Sequence, residues 1–186
     1  MNARNRHRAP RPLGRESLRE LAIRYVGHYA TSRAKLASYL LRKVRERGWD
    51  EEEEADIDGL VERFAEQGYV DDAGYAMAKS RALISRGYGP RRLSEQMRSA
   101  GIGEEDGAEA KAMAQAEAAE AALRLARKRR IGPFADQAAD AAAREKAMAM
   151  LIRAGHSFAL ARAIADMPPG DLPGEEELEA LARRNI

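Results

Sequence analysis

From Ser17 onward the apolar residues keep step with an α-helix. Leu18, Leu21, Ala22, Tyr25, Val26 and Tyr29 fall at the i, i+3, i+4, i+7, i+8, i+11 spacing that lines one helical face. Thr31 and Ser32 offer an N-cap for a second helix carrying Leu36, Leu40 and Val44, which Gly48 can end in a left-handed C-cap. Asp50 with Glu53 three residues on has the capping-box pattern, which predicts a third helix turning Ile57, Leu60, Val61 and Phe64 inward before Gly68 closes it.

The same order then returns. Tyr75, Ala78, Ala82 and Leu83 mark a helix ending at Gly87, Pro90 suits the first turn of the next helix with Leu93 and Met97, and Gly101 stops it. Gly103-Glu104-Glu105-Asp106 opens an alanine-rich helix. A looser third copy sets Arg129-Arg130-Ile131-Gly132-Pro133-Phe134 where Arg86-Gly87-Tyr88-Gly89-Pro90-Arg91 stood, and Gly155 ends its second helix before Phe158, Ala161 and Ile164. The terminating glycines Gly48, Gly101 and Gly155 recur 53 and 54 residues apart. Such a period predicts an all-α, elongated array of three tandem three-helix repeats, each burying its apolar face against its neighbour. The expected organisation is a disordered basic arm at residues 1–16, repeats at 17–72, 73–116 and 117–167, and an acidic Pro/Gly-containing tail at 168–186 that frays or forms a short helix. Extra residues in the first copy and an alanine-rich insertion near 135–145 in the third are expected to lengthen the middle helix.

Composition narrows the function more than the fold. Of the 186 residues 45% are apolar, but only 5% are aromatic, so the expected core is thin, helix against helix. Cysteine is absent, which excludes disulfides, thiolate metal sites and cysteine nucleophiles and fits a cytoplasmic protein. The first fifteen residues are basic without an apolar signal core, and no stretch approaches a membrane span, so neither secretion nor membrane insertion is expected. The net charge is only +2, yet 33% of residues are charged and they come in blocks. Asp50 to Asp72 is acidic apart from Arg63, while Lys79, Arg81, Arg86, Arg91, Arg92 and Arg98 form a basic block, and Arg124, Arg127, Lys128, Arg129 and Arg130 another. Solvated helix faces account for any one block. Basic blocks recurring at the same place in each copy point instead to a binding surface.

The residues for a catalytic cycle are missing or scattered. His7 lies in the arm, His28 in a regular helix and His156 in a turn, none at a metal-ligand spacing from another. Gly87-Tyr88-Gly89-Pro90 lacks the Lys-Ser/Thr and preceding strand of a phosphate loop and reads as a helix-to-helix turn. Asp71-Asp72 reads as an N-cap with favourable dipole placement rather than a magnesium site. No enzyme, cofactor or metal is therefore expected. Binding chemistry is easier to find, because the turn between Arg81 and Leu93 presents Tyr88 flanked by guanidinium groups that pair with phosphates or with acidic side chains. The plain alternative packs Tyr88 into the helix junction and leaves the arginines solvated. Trp49, Tyr69 and Phe134, beside helix-ending glycines or prolines, are expected to serve as junction core.

Leu18 to Tyr29, Ser32-Arg33-Ala34-Lys35-Leu36, Gly68-Tyr69-Val70-Asp71-Asp72, Tyr75-Ala76, Arg86-Gly87-Tyr88-Gly89-Pro90-Arg91-Arg92-Leu93 and Gly101-Ile102 together resemble the RecX family, the regulatory proteins of the RecA recombinase. The resemblance covers roughly residues 17–167. It implies tandem three-helix repeats that lodge in the groove of the RecA filament on single-stranded DNA and modulate, mostly inhibit, filament growth, ATP hydrolysis and strand exchange, in DNA repair and SOS control. Lys35 departs from the glutamate that the family often has there.

On this reading Arg42, Lys43, Arg45, Arg81, Arg86, Tyr88, Arg91 and Arg92 face RecA and the DNA backbone, with single-stranded DNA contacted indirectly or weakly. No long heptad run demands a dimer, so a monomer is expected. The competing class is a direct DNA binder of helix-turn-helix type using the same arginines. The acidic block from Asp50 to Asp72, which repels a long duplex, argues against it.

Overall fold

The computed structural model describes residues 11–172 and 174–183, and among them it contains helices and no strand. The helices are α1 (Arg15–His28), α2 (Arg33–Arg47), α3 (Ile57–Glu66), α4 (Asp72–Ile84), α5 (Pro90–Ser99), α6 (Glu104–Ala116), α7 (Ala118–Arg129), a 3-10 turn η1 (Gly132–Phe134), α8 (Ala141–Arg153), α9 (Phe158–Asp166) and α10 (Glu175–Arg183). The chain divides into two compact units, one ending at Asp72 and the other beginning at Ala73.

In the first unit α1 packs on α2 and α2 on α3. Leu18, Ala22, Leu36, Leu40, Ile57, Leu60, Val61 and Phe64 are buried together, as their spacing predicts. Ser32 caps α2 by accepting from the Lys35 N–H at 3.3 Å. The Arg33 N–H, a second open donor of that turn, donates at 2.9 Å to the carboxylate of the buried Asp72, itself in the first turn of α4.

Four expectations change here. Residues 1–10 lie outside the described residues, but the expected arm contains Leu13, which is fully buried in this core. Its backbone pairs with the Trp49 segment through Leu13 N–H to Gly48 O and Asp50 N–H to Leu13 O, both 2.9 Å, and Arg47 donates twice to the Arg11 carbonyl. A lone leucine among arginines and prolines has no periodicity to reveal it. Gly48 has a positive φ of 83° with ψ of 168°, extended rather than left-handed helical, because the chain leaves α2 straight into that pairing. The third helix starts at Ile57, capped by Asp56 (Gly59 N–H to Oδ1, 2.9 Å), instead of at Asp50. Glu51 is committed to Arg15 (Nε to Oε2, 2.8 Å), and the Glu53 carbonyl accepts from the Trp49 indole at 2.6 Å, which holds this stretch out of a helix. Tyr29, expected on the buried stripe, is instead the extended C-cap of α1 and is 61% exposed.

In the second unit α5 packs on α6, α8 on α9, and α7 on both α9 and α10. Ala76, Leu83, Ile84, Leu93, Met97, Ala110 and Ala114 form one cluster, and the alanine face of α7 joins Leu151, Leu160, Ala161 and Ile164 in another. Alanines let helix axes approach closely, so little aromatic volume is needed. On α4 the buried apolar positions are Tyr75, Ala76, Leu83 and Ile84, whereas Ala78 and Ala82 face outward. Pro133 opens only the three-residue η1; residues 135–140 are not helical, and α8 begins after Asp140, whose side chain accepts from Ala143 N–H at 2.7 Å. The insertion near 135–145 thus supplies a non-helical stretch and the start of α8, which at 13 residues is longer than the 10-residue α5, as the 15-residue α2 also is. The tail does more than fray: α10 buries Leu178 and Ala182 in the α7–α9 cluster, and Gln115 Nε2 donates to the Ala182 carbonyl at 3.0 Å.

Candidate partner-binding surface

The basic turn of the second unit is shaped from the inside. At the end of α4 Gly87 takes a φ of +83°, its N–H donates to Ile84 O and the Tyr88 N–H reaches back to Leu83 O at 3.0 Å, closing the helix. A Cβ on Gly87 would lie 2.9 Å from Leu125 Cβ and 3.0 Å from Ala121 O, so α7 rests directly on this turn. Arg124 of α7 donates to the Ile84 carbonyl at 2.8 Å.

On its other side the turn meets the loop between α8 and α9. Gly89 N–H donates to Ala154 O at 2.9 Å, Arg91 N–H to Gly155 O at 3.2 Å, and a Cβ on Gly89 would come within 2.5 Å of that same Gly155 oxygen. Pro90 fills the first position of α5, where no N–H is needed. The fully buried His156 donates from Nε2 to Gly87 O at 2.9 Å, while its Nδ1 has no hydrogen-bond partner among the described residues. Burial holds its pKa below the usual histidine value, against a smaller upward push from the Gly87 hydrogen bond. The imidazole is thus a neutral brace with no solvent access.

With the backbone spent on packing, the side chains of Arg86, Tyr88, Arg91 and Arg92 all point outward, Tyr88 with 37% of its surface exposed, and Arg81 is exposed one turn before the end of α4. The structure brings these five onto the same stretch of the second unit. Arg92 pairs with Glu95 at 3.1 Å, whereas Arg81, Arg86 and Arg91 have no ion-pair partner among the described residues. Of the expected junction aromatics, Trp49 and Phe134 are half-buried against core clusters, but Tyr69 is 59% exposed, its ring 5.5 Å from that of Phe64.

Arg42, Lys43 and Arg45 lie on α2 of the first unit. Arg42 and Lys43 both hold Glu46, at 2.9 and 2.7 Å, and these two bonds lower the Glu46 pKa. They also stand 5.6 and 5.9 Å from the centre of the Tyr39 ring. Together with Arg24, Tyr25, His28 and Tyr29 they line an open groove of about 510 Å³ between α1 and α2. Arg45 is exposed outside it. The chain pattern did not single out Tyr39 or Arg24. The available signal was Tyr39 followed by basic residues three and four positions on, which puts the ring and both cations on one helical face. His28 donates from Nδ1 to the Arg24 carbonyl at 2.8 Å, and among the described residues no group of three His, Asp or Glu is arranged to hold a metal ion.

A protein from Myxococcus xanthus described as regulatory protein RecX is 33% identical over 171 residues, covering 86% of this chain and 90% of its own length. The chain belongs to the RecX family. A second regulatory protein RecX, from Halorhodospira halophila, is 28% identical over 47% of the chain and half of its own length. Among solved structures, that of RecX from Lactobacillus salivarius superposes with a TM-score of 0.63 at 16% identity, over 80% of this chain and 92% of that one. Another regulatory protein RecX gives 0.59 at 22% identity over 82% and 70%. These two RecX structures share the helical fold. No protein-family model matches the chain.

Proposed function

We propose that this protein regulates the RecA recombinase. It binds the RecA filament on single-stranded DNA and restrains filament growth, ATP hydrolysis and strand exchange by occupancy, without turnover, as a cytoplasmic monomer acting in DNA repair and SOS control. Membership of the RecX family supports the reading. The observation that carries it is the Arg86–Leu93 turn, whose backbone is locked inward against Leu125, Ala154 and Gly155 while a tyrosine and three arginines project from it. A rigid display loses little entropy on docking, and guanidinium groups suit carboxylates and phosphates alike.

The finer architecture belongs to the same proposal. Three related helical units are supported by α2, α5 and α8 each ending within two residues of a positive-φ glycine, and by the unit border after Asp72. Arg81, Arg86, Tyr88, Arg91 and Arg92 form the main contact, and Arg42, Lys43 and Arg45 add a basic surface on the first unit.

Replacing both Arg91 and Arg92 by alanine should leave the helical circular dichroism unchanged, because both side chains are exposed. Half-maximal inhibition of RecA ATP hydrolysis should then need about tenfold more protein, the scale of a truncated interface arginine. Unchanged inhibition would remove the turn from the contact surface.

A further inference from the structure

The groove between α1 and α2 has a composition that the folding of the first unit does not require. Tyr25 and Tyr39 stack with ring centres 4.1 Å apart and planes inclined by 17°, tying the two helices together. Tyr29 sits 5.3 Å from Tyr25, tilted by 46°, outside the buried cluster; with 61% of it exposed, the ring stands beside the stacked pair. Its position is set by the backbone, where the Tyr29 N–H donates to Tyr25 O at 3.0 Å as α1 ends and the chain turns extended. Arg24, His28, Arg42 and Lys43 complete the lining, which among the described residues includes no carboxylate. Glu46 and Glu20 reach the cations from outside, the latter at 3.9 Å from Arg24, in exposed pairs of the kind worth little in water and readily exchanged for another anion.

We propose that this groove is a binding site for single-stranded nucleic acid, in which an unpaired base stacks on Tyr29 and the adjoining phosphates pair with Arg42 and Lys43. An aromatic face beside a row of cations matches the two halves of a nucleotide unit, and base-to-ring stacking tolerates any sequence. A duplex satisfies the cations but cannot offer a base face to the ring. An acidic peptide likewise meets the charges and leaves Tyr29 unused. The site lies wholly in the first unit and extends the regulatory reading by giving the chain a direct hold on the strand.

The test uses the full chain without RecA, so its outcome stands apart from the ATPase experiment above. Fluorescence anisotropy of a labelled oligothymidylate should show salt-dependent binding that weakens about tenfold in Tyr29→Ala and is kept in Tyr29→Phe, since the ring and not the hydroxyl does the stacking. Arg42→Gln should lower the slope of log affinity against log salt by about 0.7, one phosphate contact on a single strand. It provides a second reading that does not depend on Tyr29. A matched duplex should bind more weakly than the single strand. The proposal is overturned if the wild-type chain does not bind the oligonucleotide, or if Tyr29→Ala binds as well as wild type. Equal affinity for duplex, equal affinity for free thymidine monophosphate, or displacement by poly-glutamate at equal charge would each overturn it too.

Discussion

Gly68-Tyr69 in the first unit and Gly87-Tyr88 in the second are the same turn in different surroundings. Each glycine has a positive φ, 75° and 83°, and each tyrosine N–H bonds back to the helix just ended, Tyr69 to Phe64 O at 2.9 Å and Tyr88 to Leu83 O at 3.0 Å. Around Gly68 there is nothing within 4 Å of where a Cβ would stand, and Tyr69 is mostly in solvent. Gly87 is pressed between α7 and the His156 ring, and the chain running on from it makes backbone contact at Gly89 with Gly155. The first glycine answers a local need, that of ending a helix. The second answers this and a packing need together, which is why the residues after it are held in place with their side chains turned outward.

The largest test of that contrast is Gly89→Ala. Its φ of −90° suits any residue, so the cost comes only from the added methyl meeting the Gly155 carbonyl. We expect a loss of about 3 kcal/mol in urea unfolding followed by circular dichroism, the upper end for overpacking. A loss below about 1 kcal/mol would mean the two turns are not in contact in solution.

Gly68→Ala should cost only the strain of a left-handed alanine, about 1 kcal/mol. Its unfolding is followed by the fluorescence of Trp49, the chain's single tryptophan, in the same unit. An effect as large as that of Gly89→Ala would erase the distinction between the two turns.

The smallest effect is in pH. His156 has a folded-state pKa lowered from 6.5, so the unfolded chain binds its proton first as pH falls. Its contribution to stability is then fully present above about pH 6.5 and is lost as pH falls from there toward the folded-state value. His156→Gln keeps a side-chain N–H for Gly87 O but cannot titrate. It should flatten the decline in stability between pH 7.5 and pH 5 relative to wild type, and parallel declines would show that other groups carry it.

Much of the fold was legible along the chain because helix faces are a local property. Leu36 and Leu40, Ile57 to Phe64, Leu93 and Met97 are buried where their spacing puts them, and Pro90 opens its helix. What was not legible involved partners distant in sequence. Leu13 looks like part of a basic arm until Trp49 is beside it, Asp50 looks like the cap of the third helix until the Trp49 indole and Arg15 take up the residues after it, and Tyr29 belongs to the stripe by count but lies just past the last turn of α1. The candidate surface was legible by half: the exposed basic turn around Tyr88 could be named from its motif, whereas the groove on α1 and α2 needed Tyr25 and Tyr39 brought face to face.

Sequence alone determined that the chain is helical and where most helices stop, since capping, periodicity and glycine at positive φ each act over a few residues. Only the tertiary structure decided that Gly89 must be a glycine because of Gly155, that His156 is a buried brace bonded to Gly87, and that three tyrosines and three cations share one groove. Those outcomes depend on close packing between segments far apart in the chain, where a few tenths of an ångström separate contact from clash.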